Sequence, residues 1–469
     1  MKFFSSNYSN NKWITNSSAN LMGGLASAGM SILLPAMMAK YLSTEAFSVW
    51  ALAFQVITYV NLLGLGLQNA TARAIAYSTE SDRPKVTKAA ISLAKNASIF
   101  ALIILIGLTS IYPMLFPQVN PGLIYEFRIV IFMFGLASIS QIVAQVDFGV
   151  FQGLHKNIIF ISPQMAVRFL TLFLVWLGIK TEQSMGMIAL LMAFSMALIW
   201  PLMRIAFFKF VPWSQEIKKV TLNKVFKYDL LKYCGTLSVW SISTLLINSM
   251  GLLIVGRFDL KMAGAYSIAM TAALVVLGFL GSSLSPLMTI TAEKYATEAG
   301  RKELPQVLFK TTLLVSITLN LIFAAIIGLY PELLQLWVGE NFILTTGPIL
   351  VVLVGAHCLR NIGAPYSLML LATGLHKRAL TSSLLEGASN VIASLIFGYK
   401  WGAVGVAYGT LFGSIVGICT VLLFNTKSTP ELTPKRLLYI SQTIIIPILL
   451  FSPLQYLLIK WQFSRGFLG

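Results

Sequence analysis

The sequence predicts an all-α polytopic membrane protein, built as two parallel six-helix lobes with one extra C-terminal helix. Three observations carry that prediction. The chain has 469 residues, of which 57% are hydrophobic and 11% charged, with a mean hydropathy of +0.79. A water-soluble chain carries about 25% charged residues, so a soluble globular enzyme is excluded. Thirteen mainly apolar stretches are each long enough to cross a bilayer, which takes roughly 20 residues. A short motif recurs at the same depth in each half of the chain. The runs are long and unbroken, without the period-two alternation of a membrane β-barrel.

In chain order, a polar tail covers Met1 to Thr15. No small-residue cleavage site follows the first apolar stretch, which is therefore read as a retained span and not a signal peptide. Spans are expected near 16–39, 46–67, 91–112, 126–148, 157–179 and 185–203, making 1–203 the N-terminal six-helix lobe. Residues 204–233 are basic and read as a cytoplasmic linker. Spans near 234–256, 263–289, 311–330, 343–373, 379–399 and 402–424 make 234–424 the C-terminal six-helix lobe. The last span, 437–459, lies in an additional C-terminal segment, 425–469. Pro163, Pro286 and Pro365 can kink their spans. Gly64, Gly66, Gly402, Gly405, Gly409 and Gly413 suit close helix packing.

Charge sets the orientation. Lys and Arg number 34 against 16 Asp and Glu, a net charge of +18. With the N-terminus cytoplasmic, the inner segments hold 23 of the basic residues, the outer segments 7, and the spans 4. An inner excess of this kind is what orients membrane proteins. The outer loops are short, leaving no room for an external catalytic domain. The three cysteines (Cys234, Cys358 and Cys419) are far apart and read as small apolar packing residues. No Walker loop, nucleotide fingerprint or metal-spaced His/Cys cluster is present, so no cofactor, metal or ATP hydrolysis is expected. The basic charge is topogenic and lipid-facing, with no nucleic-acid partner.

The recurring motif is Gly-Leu-His-Lys, at Gly153–Lys156 and again at Gly374–Lys377. Gly178 and Lys180 recur as Gly398 and Lys400, and Gly186 recurs as Gly405. Six spans separate the copies. An even number gives both halves the same orientation, as in transporters built from parallel repeats with a midplane substrate site.

Ionisable groups inside spans are costly and usually face a cavity or each other. Arg168 is central in the fifth span; His357 and Arg360 lie three residues apart in the tenth; Glu386 is in the eleventh; Asp147 is near the inner end of the fourth. Arg168 and Glu386 can neutralise one another as a structural pair. Alternatively, Arg168 and Arg360 line a wet cavity and grip an anionic head group, as guanidinium forks grip phosphate. His357 reads as a packing histidine first and a proton-linked group second. Asp147 reads as a helix contact or gate.

Several stretches resemble a known family. They are Tyr41 to Trp50, Leu63 to Arg73, Gly256 to Tyr266, Glu386 to Asn390 and Gly402 to Thr410. They are similar to polysaccharide flippases of the Wzx type, within the multidrug/oligosaccharidyl-lipid/polysaccharide exporter superfamily. The resemblance implies two lobes around a central cavity that opens alternately to either side of the bacterial inner membrane. It implies an undecaprenyl-pyrophosphate-linked oligosaccharide as substrate, an O-antigen unit or similar. Arg168 and Arg360 would then hold the pyrophosphate, with Glu386, His357 and Asp147 tuning or coupling. Membrane lipids, and other polysaccharide-assembly membrane proteins, are the expected partners. A multidrug-type cation antiporter of the same superfamily is the rival. The first, seventh and eighth spans hold no Asp or Glu, which disfavours it. A membrane-embedded polymerase or glycosyltransferase would need an acidic catalytic cluster or a large outer loop.

Overall fold

The computed structural model describes residues 7–62, 64, 66–373, 375 and 380–467. Every regular element among them is a helix. A bilayer core offers no water to backbone N–H and C=O groups, and a helix satisfies them within its own segment. The chain divides into two compact units, Met1–Ile242 and Ser243–Gly469.

The first unit holds α1 (Asn7–Tyr41), α2 (Thr44–Leu62), α3 (Leu67–Tyr77), α4 (Arg83–Leu115) and α5 (Pro121–Gly153). It continues with α6 (Asn157–Lys180), α7 (Met185–Ala197), α8 (Ile199–Phe210), α9 (Glu216–Lys219) and the start of α10 (Lys224–Asn248). Local signals set several of these ends. Asn120 accepts a bond from the Gly122 amide at 3.0 Å just before Pro121 opens α5. Ser184 caps α7 at the Met187 amide. α1 begins at Asn7, so part of the tail expected to be merely polar is helical. The basic segment 204–233 is largely helical and is fastened to α4. The Lys88 ammonium donates to the Val220 carbonyl, Lys227 donates to Ser92 at 3.0 Å, and the Trp213 indole donates to Thr87 at 3.3 Å.

The second unit holds α11 (Met250–Phe258), α12 (Ala263–Tyr295), α13 (Glu298–Val338), α14 (Ile343–Asn361), α15 (Ala364–Ala372) and α16 (Leu380–Thr420). It ends with α17 (Thr426–Ser428), α18 (Arg436–Ile440) and α19 (Ile446–Ser464), joined by π-helical turns at Val421–Asn425 and Ser441–Ile445. The C-terminal helix docks on α13. Gln462 donates to the Ile327 and Gly328 carbonyls, each at 2.9 Å, and Gln455 to the Asn320 side chain at 3.1 Å. The span expected at 343–373 is broken at Ile362–Gly363, immediately before Pro365, whose ring cannot continue the α14 hydrogen-bond ladder.

Ten helices among the described residues are long and apolar enough to cross a membrane. One of them, Ser382–Ser428, is longer than any single crossing needs. It reverses at Trp401 and Gly402, where the backbone leaves the helical region and Gly402 takes a φ of 57°. A Cβ added at Gly402 would sit 2.5 Å from the Asp259 carboxylate. Beyond the reversal, Gly405, Gly409, Gly413 and Gly417 press in turn on Phe397, Ser394, Asn390 and Glu386. Those partners step backwards along the chain, so the two arms run antiparallel, as the expected spans 379–399 and 402–424 require. Glycine every fourth residue is what lets the arms approach so closely. The corresponding pair in the first unit, α6 and α7, is joined across its interface by the Thr171 and Ser195 hydroxyls at 2.8 Å. Its turn carries Glu182 at φ 54°, which matches Gly402 under the 220-residue offset of the repeat (402 − 182). In the first copy of the tetrapeptide, His155 has a φ of 56°. Gly374, His376 and Lys377 of the second lie outside the described residues. The expected spans 46–67 and 234–256 fall on α2 and on α10 with α11, which stand outside the ten.

Candidate functional site

Three helices of the second unit converge on one guanidinium. α10 stops at Asn248 and α11 restarts at Met250, leaving a break. The Asn390 amide on α16 donates to the Leu246 and Ile247 carbonyls, each at 3.0 Å, and so satisfies acceptors that the break releases. Asn248, the last residue of α10, accepts from Arg360 Nη2 at 3.0 Å. His357, one turn earlier on α14, receives the same Nη2 through its Nδ1 at 2.8 Å. An arginine can only donate, so the imidazole proton is on Nε2. That nitrogen is buried and has no hydrogen-bond partner among the described residues.

The counter-charge is Glu386, whose Oε1 is 3.6 Å from Arg360 Nη1. The side chains are 15% and 11% exposed. At 3.6 Å the charges touch without a hydrogen bond, and neither atom has a hydrogen-bond partner among the described residues. Glu386 in turn lies against Gly417, where any Cβ would strike the carboxylate. The centre is therefore a tightly packed anion–cation contact with unused bonding capacity on both sides.

The first unit holds two separate charged sites. Asp147 on α5 is fully buried, and Arg204 on α8 reaches its Oδ1 at 3.4 Å. Among the described residues neither carboxylate oxygen has a hydrogen-bond partner. Arg168 on α6 donates to the Gly23 carbonyl of α1 at 2.9 Å, and among the described residues no ion pair involves it. Of the five residues singled out in the sequence, the fold thus brings Arg360, His357 and Glu386 together. Glu386 pairs with Arg360, not with Arg168. Asn248 and Asn390 escape a sequence reading because neutral amides leave no mark in a charge count. Arg204 falls just past the expected span 185–203 and so counts there as a loop cation, whereas α8 runs on to Phe210. No group of three or more His, Cys, Asp or Glu able to hold a metal is found among the described residues.

Residues 14–292, more than half of the chain, match the sequence profile of a family described as "Polysaccharide biosynthesis protein". The chain belongs to that family. No curated protein matches the sequence. Among solved structures, a lipid II flippase MurJ in an inward closed conformation is similar, with a TM-score of 0.66 at 15% identity over 97% of this chain and 99% of that one. An inward-facing multidrug resistance MATE transporter of the MOP superfamily has a TM-score of 0.65 at 15% identity, over 86% of this chain and 95% of that one. An outward-facing MATE transporter has a TM-score of 0.58 at 17% identity, over 89% and 96%. The expectations of the family and of an all-helical membrane fold are borne out. This polysaccharide biosynthesis protein is an all-helical multi-pass membrane protein with the fold of flippases and exporters.

Proposed function

We propose that the protein is a flippase carrying an undecaprenyl-pyrophosphate-linked oligosaccharide unit, of O-antigen or a similar surface polysaccharide, across the bacterial inner membrane by alternating access. The observation behind this reading is the Arg360 centre. It is a guanidinium on a membrane-length helix, held by two neutral acceptors, Asn248 and His357, and by one carboxylate 3.6 Å away. A pyrophosphate accepts bidentate bonds from such a fork more strongly than a carboxylate 3.6 Å away. It would replace Glu386 at Nη1, and Glu386 would return to Arg360 as cargo leaves. Arg168 supplies the same chemistry in the first unit once it releases the Gly23 carbonyl. His357 orients Arg360, and Asp147 with Arg204 acts as a helix contact that the cycle makes and breaks. The N-terminus is cytoplasmic in this scheme. Assembly proteins of the same polysaccharide would deliver and consume the cargo.

The test is surface polysaccharide in a deletion strain complemented with Arg168→Ala or Arg360→Ala at wild-type protein level. Each variant is expected to lose most of the polysaccharide, with partial recovery in Arg→Lys. Full polysaccharide in both alanine variants would sink the assignment. One observation favours a second reading, cation antiport: Glu386 and Asp147 are buried carboxylates of the kind cations use. Deletion separates the two. A flippase leaves a lipid-linked intermediate to accumulate, whereas an antiporter leaves the lipid pool unchanged and the cells sensitive to cationic drugs.

A further inference from the structure

The first unit carries a pocket of about 520 Å³ that no step of the proposed cycle uses. It is formed by α3, the start of α4 and the first turns of α10, on the segments that the Lys and Arg bias assigns to the cytoplasm. α3 buries Leu67, Ala70 and Ile75 and turns Arg73 and Tyr77, one helical turn apart, the other way. The Arg73 guanidinium lies 4.6 Å from the centre of the Tyr233 ring and 5.9 Å from that of Tyr77. Stacking against two rings fixes the fork without using its hydrogen-bond donors. Lys232 and Asp229 complete the polar rim, while Ala70, Val86, Phe226 and Leu230 make an apolar floor.

A second feature adjoins this pocket. Val225, Tyr228 and Leu231, three residues apart on α10, are 66%, 66% and 55% exposed. That spacing puts them on one helical face, among Lys224, Lys227 and Lys232. An exposed apolar stripe bearing tyrosine and flanked by lysines is the composition of a helix resting in the membrane interface. A basic pocket between helices at the cytoplasmic boundary is the kind that binds acidic lipid head groups.

We infer that this pocket holds the phosphodiester head group of an anionic phospholipid from the cytoplasmic leaflet, bound by Arg73 and Lys232 with its glycerol on the apolar floor. Asp229 leaves the site with one net positive charge, which a phosphodiester neutralises. Free phosphate would bind the same cations but leave the floor and the apolar stripe unused, so the lipid is the source argued for.

The experiment uses the full chain in nanodiscs of phosphatidylcholine with a minor fraction of photoactivatable phosphatidylglycerol or photoactivatable phosphatidylcholine. Crosslinks are mapped by peptide mass spectrometry. Phosphatidylglycerol is expected to label peptides covering 70–77 and 226–233 in preference to phosphatidylcholine. Equal labelling by both lipids, or labelling confined to other segments, would overturn the inference. Retention of phosphatidylglycerol through purification is expected to fall about fivefold in Arg73→Ala and again in Lys232→Ala, with Arg73→Lys keeping part of it. Arg73→Ala and Lys232→Ala variants that elute as the wild type does yet retain the lipid fully would also overturn it. Millimolar inorganic pyrophosphate is expected to leave the labelling in place. Labelling abolished by pyrophosphate would assign the pocket to free phosphate instead. None of these readouts depends on transport.

Discussion

The residue that organises the second unit is Arg360, and its environment fixes what substitutions should do. Removing one partner of a buried ion pair leaves an uncompensated charge and typically costs about 3–5 kcal/mol, whereas replacing both by apolar side chains is often neutral. Glu386→Ala should therefore lower the thermal midpoint of the purified protein sharply, and Arg360→Met with Glu386→Leu should restore most of it. A double variant as unstable as the single one would show that the pair is not the source of the loss. The Asp147 pair is asymmetric, because the Asp147 side chain is fully buried while that of Arg204 is 21% exposed. Arg204→Ala strands a carboxylate with no water, while Asp147→Asn leaves a cation that can still be hydrated. The first should be the more destabilising in the same melting experiment. Charges inside spans were visible in the sequence, and the residues they flagged are indeed buried or partly buried. Their partners were not visible, because pairing depends on which way each helix is rotated.

At the level of elements, the glycine-lined hairpin of α16 is the most demanding piece of packing. Gly409→Val would drive a branched side chain into the backbone at Ser394, and Gly413→Leu would do so at Asn390, where even a Cβ would sit at 2.6 Å. Both should fail to yield a monodisperse protein. Gly107→Ala on α4, with nothing within 4 Å of an added Cβ, should fold normally and gain up to about 1 kcal/mol from helix propensity. The same change at all three positions with the same outcome would refute the close-approach argument. Here the sequence was highly informative. Gly402, Gly405, Gly409 and Gly413 stand out by spacing alone, and a fall in hydropathy around Lys400 marks the turn at Trp401 and Gly402. The break between α10 and α11 is marked only by the small and polar run Asn248, Ser249 and Gly251, which hydropathy averages away over a span of this length.

For the whole molecule, the Lys and Arg distribution makes an orientation that labelling can check. In a chain whose native Cys234, Cys358 and Cys419 have been replaced, Pro117→Cys should react with a membrane-impermeant maleimide in spheroplasts. Ser81→Cys should react only after lysis. Both positions are exposed in the fold, so accessibility reports the side of the membrane. The reverse pattern would invert the topology and with it the cytoplasmic placement of the lipid pocket. The repeat announces two halves, but the boundary inside α10 and the docking of the C-terminal helix on α13 are properties of contacts that no local pattern announces.

The amino-acid chain alone marks a helical membrane protein and where most of its apolar helices lie. Those follow from composition and hydropathy because a bilayer admits so few backbone solutions that a run of apolar residues has one outcome. It is the folded chain that brings Arg360 to Glu386 and Asn248, Asp147 to Arg204, and Arg73 to the Tyr233 ring. Contacts of this kind join residues on different helices. Their geometry is set by helix rotation and by glycine-permitted close approach, neither of which a one-dimensional count of charges and apolar runs contains.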